Sequence, residues 1–102
     1  MKIVIVTACA TGVAHSRMCA VGLKNEAEKR GHKTLVEMQG GHNMTAKLSY
    51  EQCQEADIII IAYATAIDDM ERFKNKLVLK LPISDAIKNI EKIIDKAEEL
   101  VC

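Results

Sequence analysis

Apolar and polar positions change period several times along this chain. Lys2 to Thr7 is an unbroken β-branched run, the signature of a strand buried on both faces. Ser16 to Arg30 shifts to helical spacing, with Met18, Cys19, Val21, Gly22 and Leu23 giving way to the solvated "KNEAEKR", and Gly31 ends the helix. Lys33 to Met38 reads as a second strand, and Gln39-Gly40-Gly41-His42-Asn43 as a loop. Ser49 with Gln52 has the form of a capping box opening a short helix through Glu55. "ADIIIIAYA" is the third strand, Thr65 to Asn75 a polar connection or single helical turn, and Leu77 to Lys80 a short fourth strand. From Ser84 onward, apolar residues at 86, 87, 90, 93, 94, 97, 100 and 101 trace one helical stripe. The order β-α-β-α-β-turn-β-α calls for an α/β fold, a four-stranded parallel sheet with helices on both faces, because parallel neighbours need crossover connections.

Composition narrows the classes of function. The 102 residues suffice for one core, so a single domain over 1–102 is expected. Fourteen basic residues balance fourteen acidic ones and aromatic content is 3%, which argues against general nucleic-acid binding. The longest apolar run is far short of the roughly 20 residues that span a bilayer, and Met1-Lys2 opens straight into a strand without a signal-peptide pattern, so a cytoplasmic protein is expected. Cys9, Cys19, Cys53 and Cys102 form no C-x-x-C, and no histidine is spaced to complete a zinc site, so no metal and no cofactor is expected.

Cys9 is the thiol with a chemical setting. In open parallel sheets, ligands bind beyond the carboxyl ends of the strands. Cys9 lies there, as do Gln39-Gly40 and Tyr63-Ala64, and the three loops could close one site. The small residues from Ala10 to Ala14, with His15 behind them, allow backbone N–H groups to turn inward and join the free amides of the following helix, a cradle for an anion such as phosphate. Thiols in such a field ionise more readily than a free thiol of pKa about 8.5. Cys9 is therefore a candidate nucleophile toward phosphorus, with the transferred oxygens held by the loop amides and the hydroxyls of Thr11 and Ser16. The other reading of Cys9 is a small buried hydrophobe that closes a strand. Cys19 reads as core, Cys53 and Cys102 as structural or incidental, and His32 as a surface residue at a turn. His15 is either a proton or charge donor to the loop or a neutral loop residue.

The stretches "VTACATGVAHS", "VEMQG", "ADIIIIA" and "ERFKNK" together resemble the EIIB component of the fructose-specific phosphotransferase system, over essentially the whole chain. The resemblance implies a cysteine that accepts a phosphoryl group from a phosphohistidine on an EIIA protein and donates it to a sugar carried by the membrane component EIIC. It implies a protein that visits the inner face of the membrane through EIIC and is otherwise monomeric. Carried onto this chain, Cys9 is the phosphorylated residue. Ala10, Thr11, Gly12, Val13, Ala14, His15 and Ser16 complete the phosphate loop, and Glu37, Gln39 and Gly40 form a second motif beside it. The chain departs from the family pattern at Ala10, where proline is usual, at Arg17, where a bulky apolar residue is usual, and at "YATAIDD", in place of a short acidic stretch. The competing class is a low-molecular-weight phosphatase or arsenate reductase, which places an arginine six residues after its cysteine; here that residue is His15.

Overall fold

A computed structural model of the chain describes residues 1–9, 13–39, 48–67 and 70–101, with the backbone alone for 13–16. Strands β1 (Lys2–Ala8), β2 (Lys33–Gln39), β3 (Ile58–Tyr63) and β4 (Val78–Pro82) form one sheet in the order β2-β1-β3-β4, and every pairing is parallel. Among the described residues, helices α1 (Val13–Lys29), α2 (Tyr50–Glu55), α3 (Ile83–Lys88) and α4 (Ile90–Val101) and a 3-10 turn at Met70–Phe73 cover it.

The continuous apolar runs of β1 and β3 follow from burial on both faces. Ile3 and Ile5 meet Ile58, Ile60 and the apolar sides of α1, α3 and α4, whereas Val4 and Val6 meet Ile59, Ile61, Cys53 of α2 and Phe73. Alternation along a strand sends neighbouring residues to opposite faces, so two cores share one sheet.

Helix α1 starts at Val13, earlier than the Ser16 the sequence suggests. Nothing in Val13-Ala14-His15 opposes helical backbone, and each residue added to the first turn brings another intrahelical hydrogen bond within reach. At its other end the His32 N–H donates to the Ala27 carbonyl at 3.0 Å and the Gly31 N–H to the Glu28 carbonyl at 3.0 Å, a Schellman closure with Gly31 at φ +88°. The box at Ser49 is formed in both directions, Gln52 N–H to Ser49 Oγ at 3.1 Å and Ser49 N–H to Gln52 Oε1 at 2.8 Å.

The C-terminal stripe is two helices, not one. Asn89, at φ −132° and ψ 35°, interrupts it; its Nδ2 donates to the Asp85 carbonyl at 2.8 Å, and its carbonyl accepts from the Ile93 N–H at 2.9 Å. An asparagine favours such a capping position over a helix interior. Strand β4 runs on to Pro82, which an edge strand accepts because a missing N–H there breaks no ladder.

At the amino ends of the strands, Arg30 pairs with Glu26, Asp95 and Glu98, and His32 Nε2 lies 2.7 Å from Glu98 Oε2. His32 is half-buried in this lock between α1 and α4, not simply a surface residue at a turn. Cys9 lies at the opposite end of the sheet.

Candidate functional site

Cys9 follows the last residue of β1 and is held from both sides. Its N–H donates to the Gln39 carbonyl at 3.2 Å, and the carbonyl of Ala8 accepts from the Ala64 N–H at 2.8 Å. The ends of all three strands that the sequence brings together therefore meet here. Because the chain runs outward from β1 to β2 and then crosses back to β3, these ends form the switch point at which open parallel sheets bind ligands.

Alternation places Cys9 on the face of Ile3 and Ile5, and it packs, half-buried, against that core. It also forms part of the wall of an open pocket of about 520 Å³, with Met18, Tyr63, Ile83, Ile87, Ser84 and Lys88 around it. The lining is mainly apolar, and Ser84 and Lys88 of α3 are among the residues that form it. Met18 is 60% exposed on this rim, and the Lys80 ammonium stands 5.1 Å from the centre of the Tyr63 ring.

Of the expected phosphate loop, Ala10, Thr11 and Gly12 lie outside the described residues, as do Gly40 of the second motif, His42 and Cys102. Val13, Ala14, His15 and Ser16 form the first turn of α1, not a loop ahead of it. The first four N–H groups of an α-helix have no intrahelical partner, so the amides assigned to the cradle remain the right type of donor. Arg17, the nearest arginine in sequence, is exposed and lines a separate groove with Val21, Val36 and Met38. Among the described residues no cluster of histidine, cysteine and carboxylate side chains could hold a metal ion.

The second motif is more than an appendix to the first. Glu37 shares a strand face with Leu35, which packs in the core beneath α2, so its carboxylate is turned away from the Cys9 pocket. It is fully buried and bound by four donors. Arg72 Nη1 lies 2.7 Å from Oε1 and Nη2 3.0 Å from Oε2; the Leu48 N–H reaches Oε1 at 2.6 Å and Gln39 Nε2 reaches Oε2 at 2.6 Å. Burial pushes the Glu37 carboxyl up, but the hydrogen bonds from Arg72, Gln39 and Leu48 outweigh it and hold it below its ordinary value. Arg72 also donates to the Leu48 carbonyl at 2.8 Å and lies 4.9 Å over the Phe73 ring.

Sequence reasoning placed Arg72 in a polar connection and missed this role. The available signal was Glu37 itself. An acid inside an otherwise apolar strand requires a buried counter-charge, and "ERF" offers an arginine beside a phenylalanine.

Among the described residues the two other thiols are buried: Cys19 is core, as expected, and Cys53, read as structural or incidental, packs in the core on the opposite face of the sheet. Burial pushes Cys19 up to about 11 and Cys53 in the same direction.

Comparison with known proteins agrees with this architecture. A "PTS system fructose-specific EIIB component" of Haloferax volcanii is 42% identical over 98% of this chain, which spans 63% of that protein's length. A "PTS system fructose-specific EIIB'BC component" of Rhodobacter capsulatus is 40% identical over 95% of this chain, which spans 17% of its length. The chain thus covers less than two thirds of either relative. The crystal structure of a domain from the fructose-specific IIABC component of Borrelia burgdorferi superposes with a TM-score of 0.87 at 41% identity, covering 94% of this chain and 91% of that one. An arsenate reductase of Corynebacterium glutamicum shares the fold alone, with a TM-score of 0.55 at 11% identity over 96% of this chain and 61% of that one. The family described as "PTS system, Lactose/Cellobiose specific IIB subunit" matches residues 4–96. The chain belongs to the IIB subunit family of the sugar phosphotransferase system.

Proposed function

We propose that this protein is a phosphoryl relay in which Cys9 takes a phosphoryl group from a phosphohistidine on an EIIA protein and passes it to a sugar, of the fructose class, carried by a membrane EIIC component. In the first step the Cys9 sulfur attacks phosphorus, the N–P bond breaks and the histidine nitrogen leaves with a proton. In the second, a sugar hydroxyl oxygen attacks, the S–P bond breaks, the thiolate departs and the hydroxyl proton is released. The amides and hydroxyls of the 10–16 segment hold the three phosphoryl oxygens. Glu37 and Gln39 support the loop from β2, and Gly40, which follows them in sequence, is assigned to the same motif.

The observation that carries this reading is the position of Cys9 at the switch point, held by Gln39 and by the Ala8–Ala64 bond, ahead of α1 and facing an open pocket. The pocket suits two successive partners: its apolar rim, with Met18 exposed and Tyr63 half-buried, offers a docking face beside the thiol. The Rhodobacter relative, named as an EIIB'BC component, supports EIIC as the acceptor-side partner. No described helix is long and apolar enough to cross a membrane; in this reading the relay is monomeric and cytoplasmic and reaches the inner face of the membrane through EIIC.

A phosphatase needs an arginine to clamp the equatorial oxygens and an acid to protonate the leaving oxygen. Arg17 lies in another groove. One experiment separates the classes. Incubation with phosphorylated EIIA followed by mass spectrometry should place phosphate on Cys9 and not on Cys19 or His15, and Cys9→Ser should abolish sugar phosphorylation, while para-nitrophenyl phosphate is not turned over. Sustained nitrophenol release that Cys9→Ser abolishes would replace the relay with a hydrolase.

A further inference from the structure

We propose that Arg72 is a positioning residue for Cys9, acting through Glu37 and Gln39; the proposal rests on the reading of Cys9 as the phosphoryl acceptor. The path is short and continuous. The Arg72 guanidinium grips Glu37 at 2.7 and 3.0 Å, Glu37 Oε2 accepts from Gln39 Nε2 at 2.6 Å, and the Gln39 carbonyl accepts from the Cys9 N–H at 3.2 Å.

Topology explains why the β2 side needs such a device. On its other side β1 abuts β3, which is itself flanked by β4, so the Ala8–Ala64 bond belongs to a strand supported on both edges. Among the described residues strand β2 is an edge strand, paired with β1 on one side. Arg72 and Glu37 supply that support from beneath the sheet. They tie in Leu48 as well, through its N–H to Glu37 and its carbonyl to Arg72, and Gln54 Nε2 holds the Arg72 carbonyl at 3.0 Å. Side-chain exposures of 7% for Arg72 and 1% for Glu37 keep water out of the pair. A buried ion pair is weak evidence for stability, since apolar replacements of similar volume are often neutral or better. Its planar fork does impose direction, and group transfer is sensitive to misplacement on the order of 1 Å.

Arg72→Lys keeps the charge and loses the fork. By NMR-detected hydrogen exchange we expect the Cys9 amide of this variant to exchange about tenfold faster, while the amides of Ala64 and Ile5 keep their wild-type rates. The kcat for phosphoryl acceptance from phosphorylated EIIA should fall about tenfold with KM for that donor unchanged. Gln39→Met severs the last side-chain link of this path, leaves the ion pair intact, and should give the same selective change at Cys9; it decides the matter alone if Arg72→Lys does not fold. A uniform rise at Cys9, Ala64 and Ile5 would reduce Arg72 to general stability, and an unchanged Cys9 amide would overturn the proposal. If wild-type Cys9 accepts no phosphoryl group while the selective exchange effect is present, the relay reading fails and the structural coupling stands.

Discussion

A Cβ added to Gly22 of α1 would stand 3.2 Å from Cδ1 of Ile90, where α4 begins to cross α1. The contact is tight, yet it involves the movable end of a half-buried side chain, not backbone. Removing glycine from a helix interior favours folding by about 0.8 to 1 kcal/mol, and displacing Ile90 from its rotamer costs about 0.5 to 1.5 kcal/mol. Gly22→Ala should therefore shift stability by less than about 1 kcal/mol in urea unfolding, and Gly22→Ala with Ile90→Val should be the more stable of the two variants. A loss above about 2 kcal/mol in the single variant would mean that the helix crossing is rigid.

Glu37 makes stability depend on pH in a fixed direction. Its folded-state pKa lies below the unfolded value of about 4.3, so its contribution is fully present above that value and is lost as pH falls through the folded pKa. Glu98, held low by the hydrogen bond with His32 and by Arg30, acts in the same direction. At pH 7 Glu37→Gln leaves the Arg72 charge buried without its counter-ion and should cost about 3 to 5 kcal/mol. The variant should also lose less stability than the parent between pH 6 and pH 3, and Glu37→Met with Arg72→Met should recover most of the pH 7 loss. Equal acid sensitivity in parent and Glu37→Gln, measured by urea titration at each pH, would contradict the assignment.

The described thiols differ in access. Cys9 is half-buried on an open pocket, whereas Cys19 and Cys53 are fully buried and burial keeps them protonated at pH 8. Iodoacetamide applied to the native protein at pH 8 should modify Cys9 at least tenfold faster than Cys19 or Cys53, with all three equalised in denaturant; peptide mapping reads each site. Faster modification of Cys19 would show that α1 opens away from the sheet.

Much of this protein is legible as one-dimensional pattern, because a period of two or of 3.6 states which side of an element is wet. The buried runs of β1 and β3, the Schellman closure at Gly31 and the capping box at Ser49 each depend on neighbours within a few residues. The parallel α/β class and the location of Cys9 at a strand end follow from the same local information, together with the resemblance carried by the cysteine loop. The start of α1 at Val13 and the break at Asn89 were hidden because helix ends turn on small differences between competing backbone hydrogen bonds.

Other features depend on which segments meet in space. No sequence period links residue 37 to residue 72; only the crossing of β2 over the 3-10 turn brings them to 2.7 Å and makes an exposed-looking arginine the partner of a buried acid. The sheet order β2-β1-β3-β4 likewise came from packing, and with it the edge position of β2 and the switch point at Cys9. Residue types and spacings therefore determined the elements and the candidate nucleophile. Tertiary structure decided what braces that nucleophile, since the bracing charge is supplied by a distant segment that desolvation alone obliges to pair.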